Sequence, residues 1–375
     1  MERSARGSKF DDGLIMQRRI PCVLMRGGTS RGPYFLASDL PAEPEKRDAV
    51  LLAVMGSPHA LQVDGIGGSN TLTSKVAIVS RSQQEGADVD YLFAQVSVDE
   101  AVVDTKPNCG NMLAGVGPFA IETGLVKAKS PTTMVRIYNV NTETLIEAIV
   151  QTPGGEVQYE GTTRIDGVGD PAAPIKLTFL DALGAVTGKL LPTGNALDVI
   201  QGVETTCIDM AMPLVIMAAE ALGKTGRESP QELDADRALM QRIEAIRLEA
   251  GKRMGMGDVS KLVVPKPALV SRPAQGGNIT SRYFTPHACH KAHAVTGALA
   301  VATAAVLPGS VANRFVEPRG FSGGVLAIEH PTGRIEVDLV TDRSGAAPVV
   351  ERASFVRTAR RIFDGHVHVP EALFR

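Results

Sequence analysis

The sequence predicts an α+β fold of two pseudo-symmetric domains, each with strands gathered around one buried helix and a cleft between the two. Three observations lead there. The run Met112 to Glu122 is apolar on nearly every face (Met112, Leu113, Ala114, Val116, Phe119, Ala120, Ile121), and a helix without a polar face has to be covered all round. A second apolar helix, Leu299 to Val306, is opened by His293-Ala294-Val295-Thr296-Gly297-Ala298. The two are in register: 87 residues separate Cys22 from Cys109, and 87 separate Cys207 from Ala294. Cys207-Ile208-Asp209-Met210 with Pro213-Leu214-Val215 echoes Cys22-Val23-Leu24-Met25 with Pro33-Tyr34-Phe35, so the chain reads as two diverged copies of one unit.

At 375 residues the chain exceeds one typical core, in keeping with two domains. The expected division is a disordered mixed-charge tail over 1–18, a first domain over 19–185 plus a return segment of about 350–375, and a second domain over 186–349. Lys+Arg 39 against Asp+Glu 41 leaves no global field that would draw nucleic acid or an anionic membrane, so anion binding must be local. No tryptophan and only five tyrosines leave few base-stacking platforms. There is no apolar run of about 18 residues. The four cysteines lie far apart without a CxxC pair, which argues against a disulfide framework or zinc knuckle and fits a reducing cytoplasm. A homodimer is the commonest default for such a chain.

From Ile20 the chain turns apolar, and Ile20 to Met25 reads as a buried strand. It enters the basic glycine-rich turn Arg26-Gly27-Gly28-Thr29-Ser30-Arg31-Gly32 and leaves as a second strand, Tyr34-Phe35-Leu36. Glu45 to Met55 has helical spacing, with Pro44 suited to its first turn. The loop Asp64 to Ser74, rich in glycine and hydroxyls, feeds an apolar strand that starts at Lys75. Tyr91 to Val98, Ala101 to Asp104, Thr133 to Asn139 and Thr144 to Gln151 read as strands, and Thr152 to Pro174 as irregular chain. Gly124 stops the first buried helix. Glu228 to Gly251 reads as one charged amphipathic helix with Leu239, Ile243 and Ile246 inward. His366 and His368 alternate with Val367 and Val369, as surface residues of a strand do.

The polar turn Asn108-Cys109-Gly110-Asn111 opens directly into the first buried helix. A helix N-terminus aims unpaired N–H groups and the positive end of its dipole at one spot, which suits a carboxylate or enolate. Cys109 sits in that turn, where the same field favours thiolate over thiol. Lys75 stands where the loop meets the strand; a loop closing over it would favour the neutral amine, the form that serves as a base, and a snorkelling surface lysine is the plainer alternative. Arg26 and Arg31, beside Thr29 and Ser30, could fork onto carboxylates or simply flank a hairpin in solvent; the spacing is not a phosphate loop. Ser69 and Asn70 offer further polar contacts. In the second copy Ala294 takes the place of Cys109, with Arg282, His287, Cys289, His290, Lys291 and His293 before it and Thr296 and Gly297 after it. Three histidines and a cysteine in seven residues invite a metal, yet no acid completes a ligand spacing, so none is expected. Arg282 and His290 suit carboxylate binding better, and His293 could equally be structural.

The Asn-Cys-Gly-Asn turn before a buried helix, with its degenerate repeat, resembles the diaminopimelate epimerase fold. That resemblance implies two domains, each with a β-barrel-like sheet wrapped around a central helix, and an active site in the cleft. Met25 to Gly32, Asp64-Gly65-Ile66-Gly67-Gly68, Thr73-Ser74-Lys75 and Asn108 to Asn111 look like the methylaconitate isomerase family, the PrpF proteins, and the likeness runs from Ile20 to the C-terminus. That family includes 4-oxalomesaconate isomerases of aromatic-compound degradation, in protocatechuate, gallate and lignin catabolism. Leu24 to Pro41 and Met55 to Ser74 are more similar to these than to the methylaconitate enzymes. The resemblance implies a cofactor-independent isomerase of a small tricarboxylate in which Lys75 transfers the proton with Cys109 nearby. The expected substrate contacts are Arg26, Thr29, Ser30, Arg31, Ser69, Asn70, Asn108, Gly110, Asn111, Arg282, His290, Thr296 and Gly297. Epimerases of this fold carry a second cysteine where this chain has Ala294, which argues against a racemase.

The chemistry this implies is a 1,3-allylic proton shift: a proton leaves the carbon flanking a double bond, the dienolate is held at the helix N-terminus, and the proton returns at the far allylic carbon. The conjugated acid is its own electron sink, so no metal, flavin or nicotinamide is needed. Three other readings stay open. One is a 2-methylaconitate cis-trans isomerase of propionate catabolism. Another is an accessory protein that holds tricarboxylates for an aconitase-like dehydratase without turning them over. The third is a two-base racemase with Cys289, five residues before the matched position, as second thiol.

Overall fold

The computed structural model describes residues 16–106, 108–180, 182–285, 287–342, 344 and 349–374, so most of the expected N-terminal tail lies outside the described residues. The first copy of the unit contains β1 (Gln17–Gly27), β2 (Ser30–Leu36), α1 (Pro44–Met55), β3 (Lys75–Arg81), β4 (Val89–Val96), β5 (Val103–Asp104), α2 (Gly110–Glu122), β6 (Thr132–Asn139), β7 (Thr144–Gln151) and β8 (Ile175–Phe179). The second runs through β9 (Asp198–Ile200), β10 (Val203–Asp209), β11 (Pro213–Ala218), α3 (Pro230–Ala235), α4 (Arg237–Arg253), β12 (Lys266–Ser271), β13 (Ile279–Tyr283), α5 (Val295–Val306), β14 (Gly324–His330), β15 (Gly333–Asp342) and β16 (Val349–Arg357). A last strand, β17 (Ala359–Pro370), returns to the first copy. β1 starts at Gln17, so Gln17 and Arg18 are strand rather than tail.

Three local readings are corrected. The charged helix expected over Glu228 to Gly251 is two helices. Ser229 and Glu232 form a capping box at the start of α3, and the Asp236 side chain accepts the Leu239 N–H to start α4 afresh. The strand expected from Ala101 shrinks to β5, because the Val102 carbonyl is used by the Ser97 N–H in a turn. The strand expected over Tyr91 to Val98 is shifted two residues earlier, to β4.

Strand pairing gives the duplication its physical form. In the first copy β17–β1, β1–β2, β3–β4, β6–β7 and β7–β8 are antiparallel, while β2–β3 and β4–β6 are parallel. In the second, β9–β10, β10–β11, β12–β13, β14–β15 and β15–β16 are antiparallel, while β11–β12 and β13–β14 are parallel. The same eight places are filled in the same senses. The two sets meet where β8 pairs antiparallel with β16, Ile175 opposite Arg357, which sets a pseudo-twofold relation between them. β16 pairs with both β15 and β8, and β17 pairs with β1, so the chain is back on the first set's outer strand after Arg357.

Each set encloses one helix. All twelve residues of α5 are buried, and α2 is buried from Met112 through Ala120, as a helix apolar on every face requires. Their surroundings merge into one hydrophobic cluster that includes Met25, Tyr34 and Phe93 from the first copy and Leu214, Tyr283 and Leu339 from the second. α1 and the α3–α4 pair cover the outer faces of the two sheets in separate clusters. This is the diaminopimelate epimerase-like architecture. Among the described residues no helix is long and apolar enough to cross a membrane.

Gly32 lies tight against the start of β3: a Cβ there would collide with the Lys75 carbonyl oxygen and lie 3.2 Å from the Met112 Cε. Gly32→Ala is expected to destabilise the protein by about 1–3 kcal/mol, as overpacking does, read as a lower urea midpoint at unchanged slope. An unaltered midpoint would show that β2 and β3 have room to part.

Candidate active site

The N-terminus of α2 is the centre of the site. Cys109 is its N-cap in an extended conformation, no side chain caps the first turn, and the first intrahelical bond is Leu113 N–H to the Cys109 carbonyl. The N–H groups of Gly110, Asn111 and Met112 therefore precede the helical ladder and stay available to a ligand. Tyr34 and Tyr91 tie this turn to the sheet from below, donating to the carbonyls of Met112 (2.5 Å) and Cys109 (3.2 Å). The β1–β2 hairpin lies against the turn because it is glycine. A Cβ on Gly27 would stand 2.5 Å from the Asn111 carbonyl oxygen, and one on Gly28, whose φ is +52°, would strike the Asn111 side chain. Asn111 in turn donates to Thr29 Oγ1 at 3.1 Å.

Among the described residues, four polar atoms here are buried without a hydrogen-bond partner: Ser30 Oγ, Arg31 Nε, Asn108 Oδ1 and Asn111 Oδ1. An unmet buried polar atom costs about 1–3 kcal/mol, so a cluster of them marks a place completed by something else. Lys75 opens β3 beside this cluster, 9% exposed. Its Nζ donates to Gln95 Oε1 at 2.5 Å and lies 5.0 Å from the centre of the Phe93 ring. Gln95, across the ladder from Lys75, also donates to the carbonyls of Ser74 and Thr71, so one amide fixes both the loop and the amine. Among the described residues Lys75 has no carboxylate partner.

The second copy faces this from the N-terminus of α5. Ala294 is its N-cap, again without a side-chain cap, and a Cβ on Gly110 would stand 2.9 Å from Val295, so the first turns of α2 and α5 touch. His293 is buried and structural: its ring bonds Ser281 Oγ at 3.0 Å and the Ala294 carbonyl at 2.9 Å, which fixes the helix start. Thr296 is in the first turn, with Oγ1 4.0 Å from Met212 Sδ. Gly297 is a packing residue, since a Cβ there would enter the Tyr283 ring. His290 stands edge-on to Tyr283 at 6.1 Å, near enough to both Lys75 and Lys266 for each ammonium to oppose its protonation.

Several expected contacts lie elsewhere. Arg282 alternates with Tyr283 along β13 and so points to the outer layer, donating to the Glu228 carbonyl at 2.8 Å instead of entering the cleft. Arg26 spends one guanidinium nitrogen on the Gly28 carbonyl and on the carbonyl and hydroxyl of Thr358, bracing the hairpin. Ser69 and Asn70 are exposed on the loop above Arg31, Asn70 Oδ1 closing its own turn onto the Leu72 N–H. Cys289 is buried with the outer cluster, where burial pushes its thiol up to about 12, so it offers no second thiol to the cleft. His287 lies on the surface near Glu244. Among the described residues no three His, Cys, Asp or Glu side chains converge on a metal position. Sequence reading passed over Gln95 and Lys266; strand register exposes both.

The profile of the PrpF proteins matches residues 17–370. The chain belongs to the PrpF family. It is 55% identical over 351 residues to the 4-oxalomesaconate tautomerase of Pseudomonas putida, covering 94% of this chain and 96% of that one. The crystal structure of a methylitaconate-delta-isomerase, 38% identical, superposes with a TM-score of 0.82 over 96% of this chain and 97% of the other. A hydroxyproline epimerase of Agrobacterium vitis, 12% identical, shares the fold with a TM-score of 0.55 over 96% and 95% of the two chains. Within this PrpF protein, the first turns of α2 and α5 touch through Gly110 and Val295, and the β1–β2 hairpin packs against both Asn111 and Lys75.

Burial pushes three imidazoles of the second half far down, His290 and His330 to about 4 and His293 to about 3. An unfolded chain takes these protons near pH 6.5, so the unfolded state binds more protons below that and stability is lost as pH falls. The urea midpoint is expected to drop steadily from about pH 7 to about pH 4.5, while the native ring signals of His290, His293 and His330 in NMR stay those of neutral imidazole. A midpoint flat across that window would contradict the burial described.

Proposed function

We propose that the protein is a cofactor-independent isomerase that moves a carbon–carbon double bond of 4-oxalomesaconate by a 1,3-allylic proton shift. One observation carries the reading: a buried lysine without a carboxylate partner among the described residues, aimed by Gln95, stands beside an uncapped helix N-terminus ringed by unsatisfied polar atoms. The name and 55% identity of the Pseudomonas putida tautomerase support the choice of substrate. The Lys75 amine removes a proton from the carbon flanking the double bond. Charge then delocalises over the conjugated acid, and the Gly110 and Asn111 N–H groups stabilise the dienolate where it develops. The ammonium of Lys75, or the Cys109 thiol beside it, returns a proton at the far allylic carbon. Arg31, Ser30 and Thr29 hold the carboxylates of the same substrate. Four free cysteines support work in a reducing compartment, the cytoplasm.

Two features weigh against the other readings. A racemase needs a second acid/base group opposite Cys109, where this chain has Ala294. A protein that only binds has no need of a base held to one direction by Gln95.

Proton NMR in D₂O tests the proposal, with 4-oxalomesaconate and 2-methylaconitate in separate tubes. Loss of the allylic signal with a shifted vinyl signal is expected in the first tube. Lys75→Ala is expected to lower kcat by about 10²–10⁴-fold with the fold intact. Silence in both tubes, or near-native turnover by Lys75→Ala, would overturn the assignment.

A further inference from the structure

The second half holds a counterpart of Lys75. Lys266 is the first residue of β12, as Lys75 is of β3. The register matches: Ala77 faces Phe93 across β3–β4, and Ala268 faces Tyr283 across β12–β13. Each lysine precedes its alanine by two residues and sets its Nζ over the matched ring, Lys75 at 5.0 Å from Phe93 and Lys266 at 5.7 Å from Tyr283. His290 lies within electrostatic reach of both, so the two lysine side chains approach one region from opposite halves.

The two lysines differ in how they are held. Lys75 has its direction fixed by Gln95, whereas among the described residues the Lys266 ammonium has only the face of Tyr283. Its three N–H donors remain free for an anion. The chain that delivers it is held firmly. Arg247 of α4, fully buried and paired with Glu244, donates to the carbonyls of Val259, Leu262 and Val264, just ahead of Lys266. A rigid approach, an ammonium without a carboxylate partner and a neutral imidazole alongside make a charge anchor.

We propose that Lys266 binds a carboxylate of the substrate from the second half of the cleft and so helps select polycarboxylates, resting on the reading of the cleft as a tricarboxylate site. Burial lowers the Lys266 ammonium to about 8, so the anchor is charged at neutral pH and fades above it. The groups facing it are Tyr283, His290, which stays neutral above about pH 4, and Lys75 beyond.

The test is steady-state kinetics of the full chain with 4-oxalomesaconate for the wild type, Lys266→Met, Lys266→Arg and Lys75→Ala. Lys266→Met is expected to raise KM by about 10- to 100-fold, the scale of a lost charged hydrogen bond, with kcat nearly kept. Lys266→Arg restores most of KM, and the fall of wild-type kcat/KM above about pH 8 is absent from it. Unchanged KM in a folded Lys266→Met protein overturns the inference, as does a collapse of kcat at constant KM that arginine does not rescue. Calorimetric titration with citrate separates the two readings. Weaker citrate binding by Lys266→Met upholds the anchor even where neither isomerase substrate reacts, and equal binding overturns it.

Discussion

The contact between the first turns of α2 and α5 is the constraint on which the rest depends. Two helix N-termini carry like partial charges, and bringing them together is unfavourable unless an anion sits between or near them. Gly110 permits the approach by presenting no side chain to Val295. Everything around the junction serves it: Tyr34 and Tyr91 anchor one turn, His293 and Ser281 the other, and the glycine hairpin lies over both Asn111 and Lys75. The apolar burial that holds α2 and α5 in place supplies the free energy to keep this positively polarised spot assembled without its ligand.

The seam between β8 and β16 gives that junction its symmetry. Pseudo-symmetry here is a property of backbone pairing, and the side chains have diverged upon it. At matched places stand Cys109 and Ala294, Lys75 and Lys266, Phe93 and Tyr283. One half has the thiol and a lysine braced by Gln95; the other has a lysine over an aromatic face and a neutral imidazole. Divergence of two equivalent halves leaves a fold shared with a hydroxyproline epimerase carrying unlike side chains on its two sides.

Much of this was legible in the sequence because the signals were local. An all-apolar helix after Asn-Cys-Gly-Asn admits little but burial with a polar N-terminus, and the two matched helix starts stand in the structure as the N-caps Cys109 and Ala294, while strand pairing sets Cys22 against Thr205 rather than Cys207. What escaped notice depends on partners far apart in the chain. Lys266 was hidden because the α3–α4 pair between β11 and β12 is longer than α1, its counterpart between β2 and β3, which breaks the constant offset. Arg282 misled for a reason specific to strands: one step along β13 reverses the face, and only the pairing with Leu269 shows that Tyr283, not Arg282, looks inward. Arg26 lost its role to Thr358, more than three hundred residues away.

β17 and β9 fill the same place, each flanking the first strand of its copy. β9 reaches β10 through a two-residue turn, whereas β17 arrives from the far end of the chain and pairs along the whole of β1. One copy is thus a circular permutation of the other. During synthesis the second set of strands is finished before the strand that closes the first, so β1 keeps an open edge until β17 emerges. With Gln17 beside Pro370, the two ends could be joined there and the chain reopened at another surface turn without altering a single strand pairing.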